Sequence, residues 1–135
     1  EAPSSGVTPR LNQEILDEGR HFLQMNGREV FRHAITRFPQ VILEGLDANG
    51  LTPEDIDLLV PHQANIRIAQ MIQKRLKLRD DQVYSNIHKY GNTTAASIPI
   101  ALCEAMDEGR VKKGDLIVFA AFGSGFTWAS AIVKW

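Results

Sequence analysis

The chain has 135 residues, of which 44% are hydrophobic and 23% are charged, and its formal net charge is −1. This composition is typical of one globular domain with a real hydrophobic core, and it excludes a disordered chain. The balanced charge excludes a global basic surface for nucleic acid, and the apolar stretches are too short to span a bilayer.

The amino-terminal stretch differs in composition from the rest of the chain. Residues 1–19 are rich in Pro, Ser, Gly and Thr and are predicted to form a linker, with at most one helical turn at 11–17. Residues 20–135 are predicted to form the globular domain. The first residue is Glu rather than Met, which indicates a processed piece or one segment of a longer protein. The single cysteine, Cys103, excludes an internal disulfide and predicts a reducing, cytoplasmic compartment.

The domain is predicted to open with a strand and a long helix. Residues 21–25 are the predicted strand. Between 29 and 46, apolar side chains recur every three or four residues, which predicts an amphipathic helix. Pro39 lies inside this helix and lacks the backbone donor of the helical ladder, so it should kink or split the helix. A single helical turn is predicted at 52–55, where Pro stands at the first helical position.

Strands and helices then alternate to the end of the chain. The segment 56–60 is short and largely apolar, with β-branched residues, which predicts a strand. Pro61 is expected to end this strand. The remaining predicted elements are a helix from about 65, a strand at 83–87, a helix at 94–108, a buried strand at 115–122 and an antiparallel strand at 126–135. The order β-α-β-α-β-α-β-β predicts an α/β fold with a mixed five-stranded sheet, covered by helices on at least one face.

Three strand ends are predicted to lie along one rim of this sheet, at His62, Asn92 and Ser124. His62 and Asn92 are neutral hydrogen-bond donors. Two such donors that converge on one oxygen form an oxyanion hole, which stabilises negative charge that develops during a reaction. The alternative is that His62 caps the following helix and Asn92 fills a turn, as Asn often does. The residue chemistry alone leaves both interpretations open.

Other kinds of site have weaker support in the sequence. The four histidines have no metal-ligand spacing and only one cysteine is available, so no metal site is predicted. Cys103 lies in an apolar helix and is expected to be a buried, inert thiol. The turn at 123–125 is too short for a dinucleotide fingerprint.

A run of positively charged residues follows the predicted strand at 56–60. Between Pro61 and Arg79 the chain has five cations and no acidic residue. Such a run is usually a solvated helix face. Beside a catalytic rim, it would attract an acidic partner or a phosphate group.

Three segments resemble a known family. They are VPHQANIRI at 60–68, YGNTTAAS at 90–97 and FGSGFTW at 122–128. Together they resemble β-ketoacyl-acyl carrier protein synthase III, the initiating condensing enzyme of bacterial fatty acid synthesis. The resemblance covers nearly the whole chain from about residue 21, and it implies the C-terminal half of a thiolase fold. It also implies that the nucleophilic cysteine belongs to the N-terminal half, so Cys103 is not that residue and this chain alone cannot form an acyl-enzyme.

The resemblance implies a role for individual residues. His62 and Asn92 would donate hydrogen bonds to the enolate oxygen that forms when a malonyl thioester loses carbon dioxide. The backbone N–H of Ser124, which stands where the family usually has Gly, would serve a second hole for the acyl-enzyme carbonyl. The residues implied to line the substrate and coenzyme A site are Gly27, Phe31, Asn65 and Phe122. The residues implied to dock the acidic carrier protein are Arg32, Arg67 and Lys74.

The resemblance also implies substrates and partners. Acyl-coenzyme A and malonyl-acyl carrier protein would be the substrates, with no cofactor. The partners would be the N-terminal half of the same enzyme, the acyl carrier protein and a second copy in a homodimer, with no nucleic acid and no membrane. Two alternatives remain: a related thiolase-fold enzyme that makes a polyketide starter or an alkylquinolone, and a non-catalytic half-domain that acts as a binding module.

Two geometric predictions test the catalytic assignment. The donor atoms of His62 and Asn92 should lie within about 3–5 Å of each other, because they must share one oxygen. The second ring nitrogen of His62 should accept a hydrogen bond from a backbone N–H near Asn65 or Ile66. A carboxylate bonded to His62 would instead indicate general-base chemistry.

Overall fold

A computed structural model describes residues 12–22 and 25–135. The helices are α1 (Gln13–Asp17), α2 (Gly27–Asp47), α3 (Ile66–Leu76), α4 (Ile87–Tyr90) and α5 (Ser97–Asp107). The strands are β1 (Leu58–Pro61), β2 (Leu116–Gly123) and β3 (Thr127–Lys134). Single 3₁₀ turns lie at Pro53–Asp55, Asp80–Gln82 and Thr94–Ala96.

The three strands form one mixed sheet in the order β1-β2-β3. β1 runs parallel to β2, with Leu58 opposite Ile117, and β2 runs antiparallel to β3. The predicted α/β class and the predicted antiparallel final pair are therefore confirmed. The continuous apolar sequence of β2 follows from its central place, where both faces of the strand are covered.

The prediction of five strands is wrong for the described residues, which contain three. The segment 83–87 pairs with β1 only at Val83, and it turns directly into α4. It leaves the sheet because the backbone N–H of Asn86 bonds to the side chain of Gln63 rather than to a neighbouring strand. In the segment 21–25, His21 and Phe22 lie in a turn that closes on Gly19, and Leu23 and Gln24 lie outside the described residues.

Helix α2 is continuous through Pro39, so the predicted split does not occur. A proline at this position leaves the carbonyl of Ile35, four residues earlier, without its helical donor. The guanidinium of Arg75, on α3, donates to that carbonyl at 3.3 Å. The neighbouring helix thus satisfies the group that Pro39 frees, and the buried proline ring contributes to the packing of α2.

Apolar side chains cover both faces of the sheet. On one face, α2 and α3 pack against β1 and β2 around a core that includes Phe38, Ile42, Ile72, Leu59 and Val118. On the other face, α5 packs through Ala101 and Ala105 against Leu58, Val60 and Ile117. Within the described part of the chain, no helix is long and apolar enough to cross a membrane.

Candidate active site

The parallel strands β1 and β2 end at the same edge of the sheet. His62 follows β1, and its backbone N–H still donates to the carbonyl of Ala120 on β2, at 2.8 Å. Ser124 follows β2 and opens the turn to β3. The carboxyl ends of parallel strands are where open α/β sheets bind ligands, so two of the three predicted rim positions lie at a suitable edge.

Asn92 follows a helix rather than a strand. Gly91, with φ of +67°, ends α4, and Asn92 begins the turn that leads into α5. The side-chain oxygen of Asn92 accepts the backbone N–H of Thr94 at 2.9 Å, which fixes the side chain as an Asx turn. The amide nitrogen of Asn92 has no hydrogen-bond partner among the described residues and can donate to a ligand.

The imidazole of His62 is half-buried, and burial lowers its pKa below the ordinary value. Its Nδ1 lies 2.5 Å from the hydroxyl of Ser97, the first residue of α5. The prediction that a backbone N–H near Asn65 or Ile66 would bind this nitrogen is wrong. The N-terminus of α3 is instead capped by the Asn65 side chain, and the buried start of α5 supplies the partner of His62. Among the described residues, no carboxylate bonds to His62.

Gln63, next to the histidine, was missed by the sequence analysis. This side chain is only 3% exposed and its polar atoms are paired. Its amide nitrogen donates to the carbonyl of Pro61 at 2.7 Å, and its oxygen accepts from the Ser85 hydroxyl at 2.8 Å and from the Asn86 N–H at 3.2 Å. A buried amide with these three hydrogen bonds holds the turn at His62 against the segment that contains Ser85 and Asn86.

Glu104, on α5, holds the Asn92 turn in a comparable way. Its carboxylate accepts from the side chains of Asn86 at 2.8 Å, Lys89 at 2.7 Å and Tyr90 at 3.2 Å. The hydrogen bond from Lys89, followed by that from Asn86, lowers the pKa of Glu104 to about 2, so the group is ionised at neutral pH. Tyr90 stands two residues before Asn92, so this cluster ties the turn to α5. An acidic residue within the otherwise apolar stretch 98–106 was the sequence signal for it.

The two turns are connected through one short segment. Gln63 binds the backbone of Asn86, and the side chain of Asn86 binds Glu104. The positions of His62 and Asn92 therefore depend on the same chain of hydrogen bonds. The convergence of their donors on one oxygen stays a prediction.

The residues proposed to line a substrate channel lie on three elements. Gly27 is the first residue of α2 and is exposed, and Phe31, one turn later, is partly buried against the core. Asn65 is the N-cap of α3. Phe122, near the end of β2, is 8% exposed, and its ring lies 6.3 Å from that of Phe38.

The turn between β2 and β3 is fixed by contacts with α2. Phe126 adopts φ of +52°, which is rare for a residue with a Cβ atom. Its ring stacks on His33 of α2 with 4.6 Å between centroids. The carbonyl of Ser124 accepts the hydroxyl of Thr127 at 3.2 Å. These contacts hold the backbone around Ser124 at the end of the sheet.

The basic residues differ in how far their charge is neutralised. Arg32, on α2, pairs with Glu29 at 2.6 Å. Arg67 and Lys74 lie two turns apart on α3, are exposed, and have no ion-pair partner among the described residues. Arg79, the last cation of the basic run, pairs at 3.0 Å with Asp81, which lies beyond that run.

The prediction that Cys103 is buried is wrong, because its side chain is exposed. Helix α5 turns Ala101 and Ala105 toward the sheet, which places Cys103 on the opposite face. No group of three His, Cys, Asp or Glu side chains that could hold a metal ion occurs within 12–22 and 25–135.

The chain is similar to proteins of one known family. The sequence profile of the family described as 3-oxoacyl-[acyl-carrier-protein (ACP)] synthase III C terminal matches residues 46–135. A β-ketoacyl-[acyl-carrier-protein] synthase III of Caldanaerobacter subterraneus is 50% identical over 133 residues, which are 98% of this chain and 40% of that protein. The chain therefore spans well under half of the length of this curated relative.

The fold is also similar to solved structures. The 3-oxoacyl-(acyl carrier protein) synthase III of Pseudomonas aeruginosa superimposes with a TM-score of 0.85 and 37% identity, over 96% of this chain and 40% of that one. The priming β-ketosynthase of the R1128 polyketide biosynthetic pathway superimposes with a TM-score of 0.81 and 33% identity, over 90% of this chain and 37% of that one.

Proposed function

The chain belongs to the 3-oxoacyl-[acyl-carrier-protein] synthase III family as its C-terminal part, and from this we propose that it supplies half of the active site of a condensing enzyme. The proposed reaction is a decarboxylative Claisen condensation that initiates fatty acid synthesis. An acyl group passes from coenzyme A to a cysteine of the N-terminal half, and malonyl-acyl carrier protein then attacks it. The observation that carries this proposal is His62 with its bound Nδ1, held at the carboxyl edge of the sheet.

The proposed roles follow from the charges that move in this reaction. When the malonyl carboxylate leaves as carbon dioxide, the electrons of the broken C–C bond form an enolate with negative charge on the thioester oxygen. His62 and Asn92 would donate hydrogen bonds to that oxygen. The enolate carbon then bonds to the acyl carbonyl carbon, and the cysteine leaves as thiolate. The backbone N–H of Ser124 would stabilise the oxyanion of this second step.

The remaining site residues are proposed to guide the substrates. Gly27, Phe31 and Asn65 would line the channel for the pantetheine arm, and Phe122 would border the acyl pocket. We infer no resident cofactor, because acyl transfer through a cysteine needs only the two thioester substrates. The complete enzyme is proposed to be a cytoplasmic homodimer in which each N-terminal half packs against a chain like this one.

The experiment that tests this function uses the complete enzyme, in which this chain is joined to an N-terminal half. We expect it to convert acetyl-coenzyme A and malonyl-acyl carrier protein into carbon dioxide and a β-ketoacyl-acyl carrier protein. The control is a variant without the nucleophilic cysteine, which should form no product. Absence of product from the unaltered enzyme with every acyl-coenzyme A tested would overturn the proposal and favour a non-catalytic module.

The likeness to a polyketide priming synthase favours a second candidate function. Both candidates use the same condensation and differ in the acyl group that they accept. A competition between acyl-coenzyme A substrates of increasing length and branching distinguishes them. Strong preference for acetyl-coenzyme A supports fatty acid initiation, and strong preference for a longer starter supports polyketide priming.

A basic surface on α2 and α3 is proposed to dock the carrier protein. It comprises Arg67 and Lys74, together with Arg32 of α2. In the complete enzyme, replacement of Lys74 or Arg67 by alanine should raise KM for malonyl-acyl carrier protein about three- to ten-fold, because charges at the rim of an interface mainly steer association. The increase should shrink at high salt, which screens exposed charges.

Two comparisons make the docking experiment decisive. Malonyl-coenzyme A needs no protein docking, so its KM should change little in the same variants. The control variant is Lys113→Ala, an exposed cation before β2 and thus at the opposite edge of the sheet. Equal losses with both substrates would contradict docking and indicate a role inside the site.

A further inference from the structure

The hydroxyl of Ser97 contacts both His62 and the residue after it. Its oxygen lies 2.5 Å from Nδ1 of His62 and 3.2 Å from the backbone nitrogen of Gln63, and Ser97 is only 2% exposed. We propose that Ser97 is a positioning residue, which fixes the His62 ring as the tautomer with its proton on Nε2. The effect of this tautomer on catalysis rests on the function proposed above.

The assignment follows from counting hydrogen atoms and lone pairs. A serine hydroxyl has one hydrogen to donate and two lone pairs that accept. The backbone N–H of Gln63 can only donate, so it occupies a lone pair of Ser97. The hydroxyl hydrogen needs an acceptor because the group is buried, and Nδ1 of His62 is the acceptor within hydrogen-bonding distance among the described residues. An accepting Nδ1 carries no proton, so the proton of the neutral ring lies on Nε2.

The surrounding structure keeps this arrangement in place. Burial favours the neutral ring, since it lowers the pKa of His62. Gln63 binds the carbonyl of Pro61 and the Ser85 hydroxyl, and this fixes the turn that presents the imidazole to α5. Ser97 stands five residues after Asn92. The start of α5 therefore follows Asn92 closely in the chain and also orients His62, the other predicted donor.

A ring held in this tautomer directs an N–H away from Ser97. A wrong tautomer would present a lone pair to the enolate oxygen and repel its charge, and a mixture would reduce the active fraction. A single neutral hydrogen bond shifts such an equilibrium by roughly ten-fold. With both tautomers equally populated after removal of the hydroxyl, the active fraction falls from about 0.9 to about 0.5, so turnover should fall about two-fold.

The tautomer is measured directly in the complete enzyme labelled with ¹⁵N-histidine, at a pH above the His62 pKa. We expect the Nδ1 signal of His62 at the shift of an unprotonated ring nitrogen. Ser97→Ala should move it to an average of both tautomers and lower kcat for malonyl-coenzyme A decarboxylation about two-fold. Ser97→Thr keeps the hydroxyl and should restore both the signal and most of the rate. The control is Ser130→Ala, because the Ser130 hydroxyl bonds to the carbonyl of Val41 on α2 rather than to His62.

Three results would overturn the proposal. The first is a proton on Nδ1 in the unaltered enzyme, a measurement that needs no variant. The second is an unchanged His62 signal in Ser97→Ala, and the third is an equal rate loss in Ser97→Ala and Ser130→Ala. The spectroscopic measurement needs no substrate. An enzyme inactive toward malonyl thioesters but with the expected tautomer would therefore refute the proposed function and leave the role of Ser97 intact.

Discussion

Replacement of His62 by alanine in the complete enzyme is expected to lower the rate of malonyl-coenzyme A decarboxylation about 10²–10³-fold, because one donor to a developing oxyanion is worth that factor. The side chain is half-buried at the sheet edge and its Nδ1 is bound to Ser97. Only the other nitrogen remains to face a ligand. Carbon dioxide release from malonyl-coenzyme A measures this step without carrier protein or condensation.

The matching change at Asn92 sharpens this test. Asn92→Ala should cause a loss similar to that of His62→Ala. Asn92→Asp should be as damaging or worse, since a carboxylate of the same shape repels the enolate. His88→Ala is the control, because His88 is exposed on α4 and has no hydrogen bond within the described chain. Decarboxylation within about three-fold of normal in a folded His62→Ala enzyme would refute the oxyanion-hole assignment.

The second large effect is expected in the core, at Phe38. Its side chain is 1% exposed on α2, and its ring contacts the cluster around Phe122, near the end of β2. Phe38→Ala should reduce the free energy of unfolding by about 3–5 kcal/mol, because the transfer of a large ring is lost and a cavity remains. Urea denaturation of the complete enzyme, followed by tryptophan fluorescence, measures the change.

Leu43 provides a control on the same helix. It is 44% exposed, so Leu43→Ala should change the free energy of unfolding by no more than about 0.5 kcal/mol. Phe38→Leu keeps much of the volume and should cost less than Phe38→Ala. Similar losses for Phe38→Ala and Leu43→Ala would mean that α2 does not pack on the sheet as described.

Local patterns determined much of this fold. The apolar spacing predicted α2 and α3, since a helix buries one stripe of its surface. The continuous apolar run of β2 predicted a strand covered on both faces, which the two clusters of the core confirm. The motifs around His62 and Asn92 predicted the family, and the family profile and relatives confirm it.

Contacts between residues that are far apart in the sequence determined the structural features that these local patterns did not predict. The segment 83–87 has the composition of a strand, but the buried Gln63 captures the backbone at Asn86 and only Val83 pairs. Pro39 should interrupt a helix, but Arg75, far away in the sequence, donates to the freed carbonyl.

The partner of the His62 imidazole was decided in the same way. Sequence reasoning placed it within the next helix, whereas the structure supplies it from Ser97, 35 residues away. Periodicity and turn chemistry report which face of an element is buried and where that element ends. A hydrogen bond between separate elements depends on how they pack, and a buried polar group takes whichever partner that packing brings within reach.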